Sequence, residues 1–154
     1  MISKPSTAQL IEAVNAELAS KVSPELDAGT TRVVLDMAMA VLQGAATRSA
    51  NELAWMREEE RAVADVAERL VAEMPSATGL AEAYRLYTDN RSDSLYLADA
   101  MADYERVSEV LSCAAEAVYA EGDPGRIAAV QELFDQRLAN ENAVIGAFQA
   151  VGRT

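Results

Sequence analysis

The sequence predicts an all-α protein, an antiparallel bundle of five to six helices of which several are long. Apolar residues recur at spacings of three and four along most of the 154 residues. No segment alternates apolar and polar side chains between turn residues, as a half-buried strand would. Only 5% of residues are aromatic, and the many alanines favour closely packed helices. Because the length is typical of one domain, we expect a single helical domain over residues 1–154.

The first helix is predicted from Thr7 to about Val22. Ser6 and Gln9 have the spacing of a capping box, in which each side chain bonds the backbone of the other residue. Ser23-Pro24 should end the helix, since proline restricts the residue before it. The apolar residues that recur every four positions are Leu10, Val14, Leu18 and Val22.

The next segment, Val33 to Ala46, predicts the most buried helix, because its only polar side chains are Asp36 and Gln43. A separate helix is then predicted from about Ala50 to Met74. Ser49 and Glu52 repeat the capping-box spacing at its start, and Pro75 stops it. Its inward residues are predicted to be Leu53, Met56, Val63, Val66 or Ala67, and Leu70.

Three helices are predicted in the remainder. A short one runs from Leu80 to about Tyr87 and is followed by a polar loop, Thr88–Ser92. The fifth runs from Asp93 to about Ala120 and is ended by Gly122. The last has Asp123 as its N-cap and Pro124 at its first position, and it runs to about Val151. The fifth has an apolar stripe of Leu97, Met101, Tyr104, Val107, Leu111, Ala114 and Val118. The last turns inward Ile127, Val130, Leu133 or Phe134, Leu138, Val144 or Ile145, and Phe148.

The fifth helix would be about 42 Å long at 1.5 Å per residue. A helix of this length is long for a compact monomer of this size. We therefore expect a second subunit to cover part of it, which predicts a homo-oligomer, most simply a dimer.

Charge and composition exclude several kinds of partner. The chain has 13 basic and 25 acidic residues, a formal net charge of -12, and no run of five basic residues. Such a surface repels phosphate backbones and anionic lipid, so we expect neither nucleic acid nor membrane as a partner. No signal-peptide pattern or long apolar run is present, which predicts a cytoplasmic protein.

The sequence contains no histidine. This removes the usual proton shuttle at neutral pH and the nitrogen ligand for zinc or iron, so we expect no metal and no other cofactor. The lone cysteine, Cys113, has Glu109 and Glu116 one turn away, and nearby anions raise the pKa of a thiol. We interpret Cys113 as a small buried apolar residue. No phosphate-binding loop, Gly-x-Gly-x-x-Gly, Cys-x-x-Cys or Gly-x-Ser-x-Gly motif occurs.

The acidic residues allow two interpretations. A carboxylate-only magnesium site is conceivable, but helical phase favours solvated charges on faces opposite the apolar stripes, including all of the segment Arg57–Arg61. The acids considered for such a site are Glu58, Glu59, Glu60, Asp99, Asp103 and Glu105.

Asp36 is a distinctive candidate, because an acid in an apolar helix must reach water or be paired. Arg32 lies one turn earlier and could pair with it. We favour a structural network of Arg32, Asp36 and Gln43 over a ligand-binding one. In the ligand-binding alternative these residues line a pocket with Trp55, Tyr84 and Tyr104. Tyr87 and Tyr96 could also line that pocket. The four tyrosines and Trp55 could equally form the rim of an interface, and we favour ordinary core and boundary packing for each.

Two segments, Pro5–Val14 and Arg32–Ala38, carry a resemblance to a known family. Their sequences, Pro-Ser-Thr-Ala-Gln-Leu-Ile-Glu-Ala-Val and Arg-Val-Val-Leu-Asp-Met-Ala, resemble those of an uncharacterised family of small helical bacterial proteins. Arg137–Asn142 is similar to the family's C-terminal end, and Asp36 stands where the family usually has asparagine. Genes of that family often neighbour genes for acyl-CoA dehydrogenases and aminoglycoside-phosphotransferase-like kinases. The resemblance implies a pathway context and no site.

From the sequence we therefore predict a non-enzymatic, oligomeric helical protein that serves as an accessory partner of a metabolic enzyme. The alternative is a small-molecule-binding protein or carboxylate-dependent enzyme with a pocket between helices.

Overall fold

The computed structural model describes residues 4–146, and in this part of the chain there are five α-helices and no strand. The first helix, α1, is Thr7–Glu17, followed by a π-helical turn at Leu18–Val22 and a 3₁₀ turn at Ser23–Glu25. The others are α2 (Thr30–Glu73), α3 (Thr78–Asn90), α4 (Leu97–Glu121) and α5 (Pro124–Ile145). The predicted all-α bundle is confirmed. None of these helices is both long and apolar enough to cross a bilayer.

Three helix ends set by capping residues are as predicted, namely the start of α1, the end of α4 and the start of α5. The Ser6 hydroxyl accepts from the Gln9 backbone N–H at 3.3 Å, and the Gln9 side chain accepts from the Ser6 backbone N–H at 2.9 Å. Gly122 ends α4 with φ of 82°, a left-handed conformation that costs glycine little. Asp123 Oδ1 accepts from the Arg126 backbone N–H at 2.8 Å and so caps α5.

Two predictions about α2 were wrong. The helix is continuous over 44 residues, and Ser49 lies inside it instead of capping a new helix. The reason is that no proline separates the two predicted segments. Side chains also span the expected break, since Arg48 Nη2 contacts Glu52 Oε1 at 2.9 Å and Asn51 donates to the carbonyl of Thr47.

The N-terminal part of α2 is also not the most buried helix. Four of its apolar side chains, Val33, Val34, Met37 and Val41, are 50–59% exposed.

The polar loop before α4 lies later in the chain than predicted, at residues 91–96, because Thr88–Asn90 continue α3 and α4 begins at Leu97 instead of Asp93. The Thr88 hydroxyl donates to the carbonyl of Arg85, and the Asn90 amide donates to that of Leu86. Both polar side chains thus bond carbonyls of the preceding turn within the longer helix.

Contacts divide the described chain into two compact units. The first unit comprises residues 4–52 and 139–146, and the second comprises Leu53–Leu138. Helix α2 contributes its residues 30–52 to the first unit and 53–73 to the second.

The second unit contains a continuous apolar core in which four helical segments pack together. Segment α2 contributes Val63, Ala67 and Leu70, as predicted. The fully buried members from the other helices include Leu80 and Tyr87 of α3, Val107, Leu111, Ala114 and Val118 of α4, and Val130 of α5.

Several residues predicted to face inward are exposed. On α4, Leu97 and Met101 are 45% and 47% exposed, so the buried stripe does not include its first turns. On α5, Leu133 is buried but Leu138 is exposed. The predicted continuation of the last helix to Val151, and the inward position of Phe148, lie outside the described residues.

In the first unit α1 lies beside α2. The Asn15 side-chain amide donates to the Met39 carbonyl at 3.2 Å, and Arg32 Nη1 donates to the Ser23 carbonyl at 2.7 Å. The buried residues among 4–52 are all small, namely Ala8, Ser23, Ala40, Gly44 and Ala46.

Candidate functional site

The most unusual feature of the second unit is a set of charged side chains buried within it. Arg57 of α2 donates through Nη1 to Glu60 Oε2 at 2.6 Å and to Asp103 Oδ2 at 2.9 Å. The Glu60 side chain is 8% exposed and that of Asp103 only 1%. One guanidinium nitrogen therefore bridges two buried carboxylates, one on α2 and one on α4, through charge-assisted hydrogen bonds. We call Arg57, Glu60, Tyr87, Asp103 and Arg106 the buried ion network.

Asp103 is held from three directions. Besides Arg57, it accepts from Arg106 Nη1 at 3.0 Å and from the backbone N–H of Ser92, which lies 3.1 and 3.2 Å from its two oxygens. A buried carboxylate is tolerated only when donors satisfy its oxygens, and here two cations and one amide do so.

Tyr87 of α3 completes the network. Its hydroxyl donates to Glu60 Oε1 at 2.9 Å, and its side chain is fully buried. Burial, with the hydrogen bond to Glu60, raises the pKa of Tyr87 well above its ordinary value. The hydrogen bond to Glu60 likewise raises the pKa of Arg57, against the opposing effect of burial, so the arginine remains charged.

A second cluster lies beside the network, because Glu59 precedes Glu60 and Tyr104 follows Asp103. The Tyr104 hydroxyl donates to Glu59 Oε2 at 2.9 Å, and Arg137 of α5 pairs with Glu59 Oε1. The Arg137 guanidinium lies 5.1 Å from the centroid of the Tyr104 ring and donates to the Ser108 hydroxyl at 3.0 Å. This cluster therefore joins α2, α4 and α5.

These clusters correct the prediction that the acids are solvated. Glu59, Glu60 and Asp103 are buried, whereas Glu58, Asp99 and Glu105 are exposed as expected. All of the segment Arg57–Arg61 was expected on an exposed face, but its positions 57, 59 and 60 contact other helices.

The sequence does carry a signal for this burial. Glu60 shares a helical face with Val63, Ala67 and Leu70, at spacings of three and four. Asp103 has the same relation to Ala100, Val107 and Val110. An acid in register with an apolar stripe, with an arginine three residues away, indicates a buried pair.

Of the predicted site residues, three belong to the first unit. Arg32 Nε contacts Asp36 Oδ1 at 3.1 Å, and each side chain is more than one-third exposed. Gln43 is exposed, and its backbone carbonyl accepts from the Thr47 hydroxyl. The pairing of Arg32 with Asp36 has the geometry of an ordinary i,i+4 ion pair on a helix.

The other three belong to the second unit. Trp55 and Tyr84 are half-buried, and Tyr104 is part of the Glu59 cluster. The Tyr84 ring lies 6.3 Å from that of Tyr87, and burial raises the pKa of Tyr84.

Cys113 is half-buried on α4, with its Sγ 3.8 Å from Glu109 Oε1. Burial, followed by the charges of Glu109 and Glu116, raises the pKa of the thiol. This environment makes the thiolate scarce at neutral pH.

An open cavity of about 350 Å³ lies between α2 and the start of α5. One of the arginines that line this cavity, Arg126, is paired with Glu73 at 3.1 Å and with Glu121. It is lined by Val66, Arg69, Leu70, Glu73, Asp123, Gly125, Arg126 and Ala129, so none of the six predicted site residues borders it.

Within residues 4–146, no group of three or more cysteine, aspartate or glutamate side chains is arranged to hold a metal ion. In the buried ion network, arginine and tyrosine donors occupy the carboxylate oxygens.

Comparison with protein-family models, with curated protein sequences and with solved structures gives no match to this chain.

The first unit presents a different kind of surface. Val33, Val34, Met37 and Val41 share one side of α2, and we call them the α2 apolar face. Charge is also unevenly distributed along the chain. Residues 53–138 contain eighteen acidic and eight basic side chains, whereas residues 1–52 contain six and four.

Proposed function

We propose that this protein is a non-enzymatic interaction protein that self-associates through the α2 apolar face. The observation that carries the proposal is the exposure of four large apolar side chains in a helical segment, residues 33–46, that has only two polar side chains. A helix that is apolar nearly all round is ordinarily covered on every side. Here α1 contacts one side through Asn15, which bonds the Met39 carbonyl, and the 3₁₀ turn contacts Arg32 through the Ser23 carbonyl.

A second copy of the chain is the occupant that the charges favour. A dimer brings like charges together, and the net charge of -12 resists this in proportion to how close the acidic surfaces come. Residues 1–52 carry little of that charge. Packing one α2 apolar face on another therefore covers apolar surface at the least charged part of the chain.

The buried ion network supports a non-catalytic role. Its carboxylates are occupied by arginine and tyrosine donors of the same unit, an arrangement typical of structural ion pairs. The resemblance to proteins encoded beside acyl-CoA dehydrogenase genes adds the accessory role to the proposal.

Sedimentation velocity tests self-association directly. The double variant Val34→Ser/Met37→Ser places two hydroxyls on the α2 apolar face and is expected to weaken dimerisation by at least about tenfold, since central apolar contacts dominate interface energies. The matched control is Leu86→Ser/Met101→Ser, which changes two half-exposed apolar residues of the second unit. This control should dimerise as the wild type does.

Circular dichroism of each variant confirms that the helices are kept. A wild type that stays monomeric up to about 100 μM, above the affinity range of specific complexes, contradicts self-association. An α2 variant that dimerises as tightly as the wild type contradicts the assignment of the surface.

A further inference from the structure

The segment between α3 and α4, residues 91–96, exposes two large apolar side chains. Leu95 and Tyr96 are 78% and 81% exposed, the highest values among the large apolar residues of the described chain. Leu97 and Met101 follow on α4 and are each about half-exposed. Single exposed apolar residues are ordinary, whereas contiguous exposed apolar patches are typical of interaction surfaces. We call residues 91–96 the α3–α4 loop.

The α3–α4 loop is fixed by the buried ion network. The Ser92 backbone N–H donates to Asp103, and the Ser94 carbonyl accepts from Arg57 Nη2 at 2.6 Å. Within the loop, the Ser94 N–H donates to the Ser92 hydroxyl at 3.0 Å and the Tyr96 N–H to the Ser94 hydroxyl at 3.2 Å. The serines therefore turn towards the unit, while Leu95 and Tyr96 remain in solvent.

We interpret the main contribution of the buried ion network as holding the α3–α4 loop in one conformation. A buried ion pair adds little stability over apolar residues of the same size, because removing the charges from water is costly. Here the same groups that bridge α2 and α4 also bind the loop backbone at two points. A surface held in one conformation loses less conformational entropy on binding than a mobile one.

The surroundings of the loop determine which partner suits it. Asp93 has a side chain that is 97% exposed, and Asp99 is exposed in the first turn of α4. The one cation in the loop, Arg91, is paired loosely with Asp93 at 3.7 Å. The apolar side chains are thus bordered by an excess of carboxylates, which complements a basic partner.

We propose that the α3–α4 loop, with Leu95 and Tyr96 as the central contacts, is a docking site for a basic amphipathic helix of a partner protein. The apolar stripe of such a helix packs on Leu95, Tyr96 and Leu97, and the lysines or arginines beside the stripe face Asp93 and Asp99. The inference rests on the proposed function only in that the protein acts through contacts. The docking site belongs to the second unit, whereas the α2 apolar face belongs to the first.

A labelled amphipathic peptide provides the test. An 18-residue helical peptide of leucine and lysine is titrated with the full chain at 0.15 M salt, and fluorescence anisotropy gives its Kd. Leu95→Ser/Tyr96→Ser should weaken binding by at least about tenfold, since exposed tyrosines are frequent hot spots. Asp93→Asn/Asp99→Asn should weaken it by a smaller factor that shrinks as salt is raised.

Two controls make the result specific. Tyr119→Ser removes another tyrosine that is about half-exposed on α4 and should leave the Kd unchanged. Val34→Ser/Met37→Ser should also leave the Kd unchanged, even though it disrupts the proposed dimer. Loss of dimerisation and loss of peptide binding are therefore distinguishable.

Three outcomes overturn the proposal. The first is a Leu95→Ser/Tyr96→Ser variant that binds the peptide as tightly as the wild type, which means that net charge alone attracts it. The second is loss of binding in the Val34→Ser/Met37→Ser variant, which places the peptide on the α2 apolar face. The third is partitioning of the wild type, but not the loop variant, into phosphatidylcholine vesicles, which makes the loop a membrane contact.

Discussion

The second unit and the N-terminal part of the first unit are both built from alanine-rich helices, but they bury different things. Residues 53–138 bury leucine, valine and tyrosine together with three carboxylates. Residues 4–52 bury only small residues, and each of Val33, Val34, Met37 and Val41 is at least half-exposed. A bundle segment with its own core can be stable alone, whereas a helix pair without one depends on further contacts. We therefore interpret the second unit as stable by itself and the N-terminal part of the first unit as a surface that requires a partner.

The largest effect is expected from the buried ion network. Arg57→Met leaves Glu60 and Asp103 buried without their shared cation, and the free energy of unfolding should fall by about 3–5 kcal/mol. The matched change in the first unit is Arg48→Met, which removes an exposed pair with Glu52 and should cost less than about 1 kcal/mol. Urea denaturation followed by circular dichroism measures both. Equal losses in the two variants would remove the distinction between the units.

The second largest effect is expected from removing apolar packing in each of the two units. Leu111→Ala in the core of the second unit should lower the free energy of unfolding by about 2–5 kcal/mol, because it leaves a cavity. Leu10→Ala in α1, where the leucine is 53% exposed, should lower it by less than about 1 kcal/mol at protein concentrations below dimerisation. Thermal and urea unfolding of both variants test the contrast. A large loss for Leu10→Ala would show that the first unit has a core of its own.

The smallest effect concerns alkaline pH. The raised pKa of Tyr87 means that the folded state keeps a proton that the unfolded state releases above about pH 10. This contribution to stability is complete below pH 10 and is lost as pH rises towards the folded-state pKa, with a slope of about 1.4 kcal/mol per pH unit. Tyr87→Phe should therefore show a shallower fall in stability between pH 10 and 11. Parallel curves for the wild type and the variant would contradict the buried, protonated hydroxyl.

The features that could be predicted from sequence are those set by neighbouring residues. The capping box of Ser6 and Gln9, the left-handed Gly122 and the Asp123 cap all depend on interactions within a few positions. The same local pattern at Ser49 and Glu52 gave a wrong prediction, because a cap forms only where the preceding residues leave the helix. Here residues 47–52 contain neither proline nor glycine, so the residues before Ser49 stay helical.

The buried ion network could be predicted only in part. Helical phase places Asp103 and Glu60 on buried faces, but their partners Tyr87 and Ser92 come from another helix and a loop. Such contacts depend on tertiary packing, which periodicity within one helix does not encode. The reverse error at Val33–Val41 has a related cause. An apolar sequence indicates surface that needs covering, but not which chain covers it.

The central claim is that the α2 apolar face meets its counterpart on a second copy. Ala38 is exposed beside this face, so a spin label can be attached at Ala38→Cys in a Cys113→Ser background. Pulsed electron paramagnetic resonance then measures the distance between the labels of two copies. Packed helices have axes about 8–10 Å apart, so we expect a narrow distribution of label-to-label distances below roughly 30 Å. The distribution should vanish when Val34→Ser/Met37→Ser is added. Absence of dipolar coupling between copies at concentrations near 100 μM, where specific complexes form, would contradict the account.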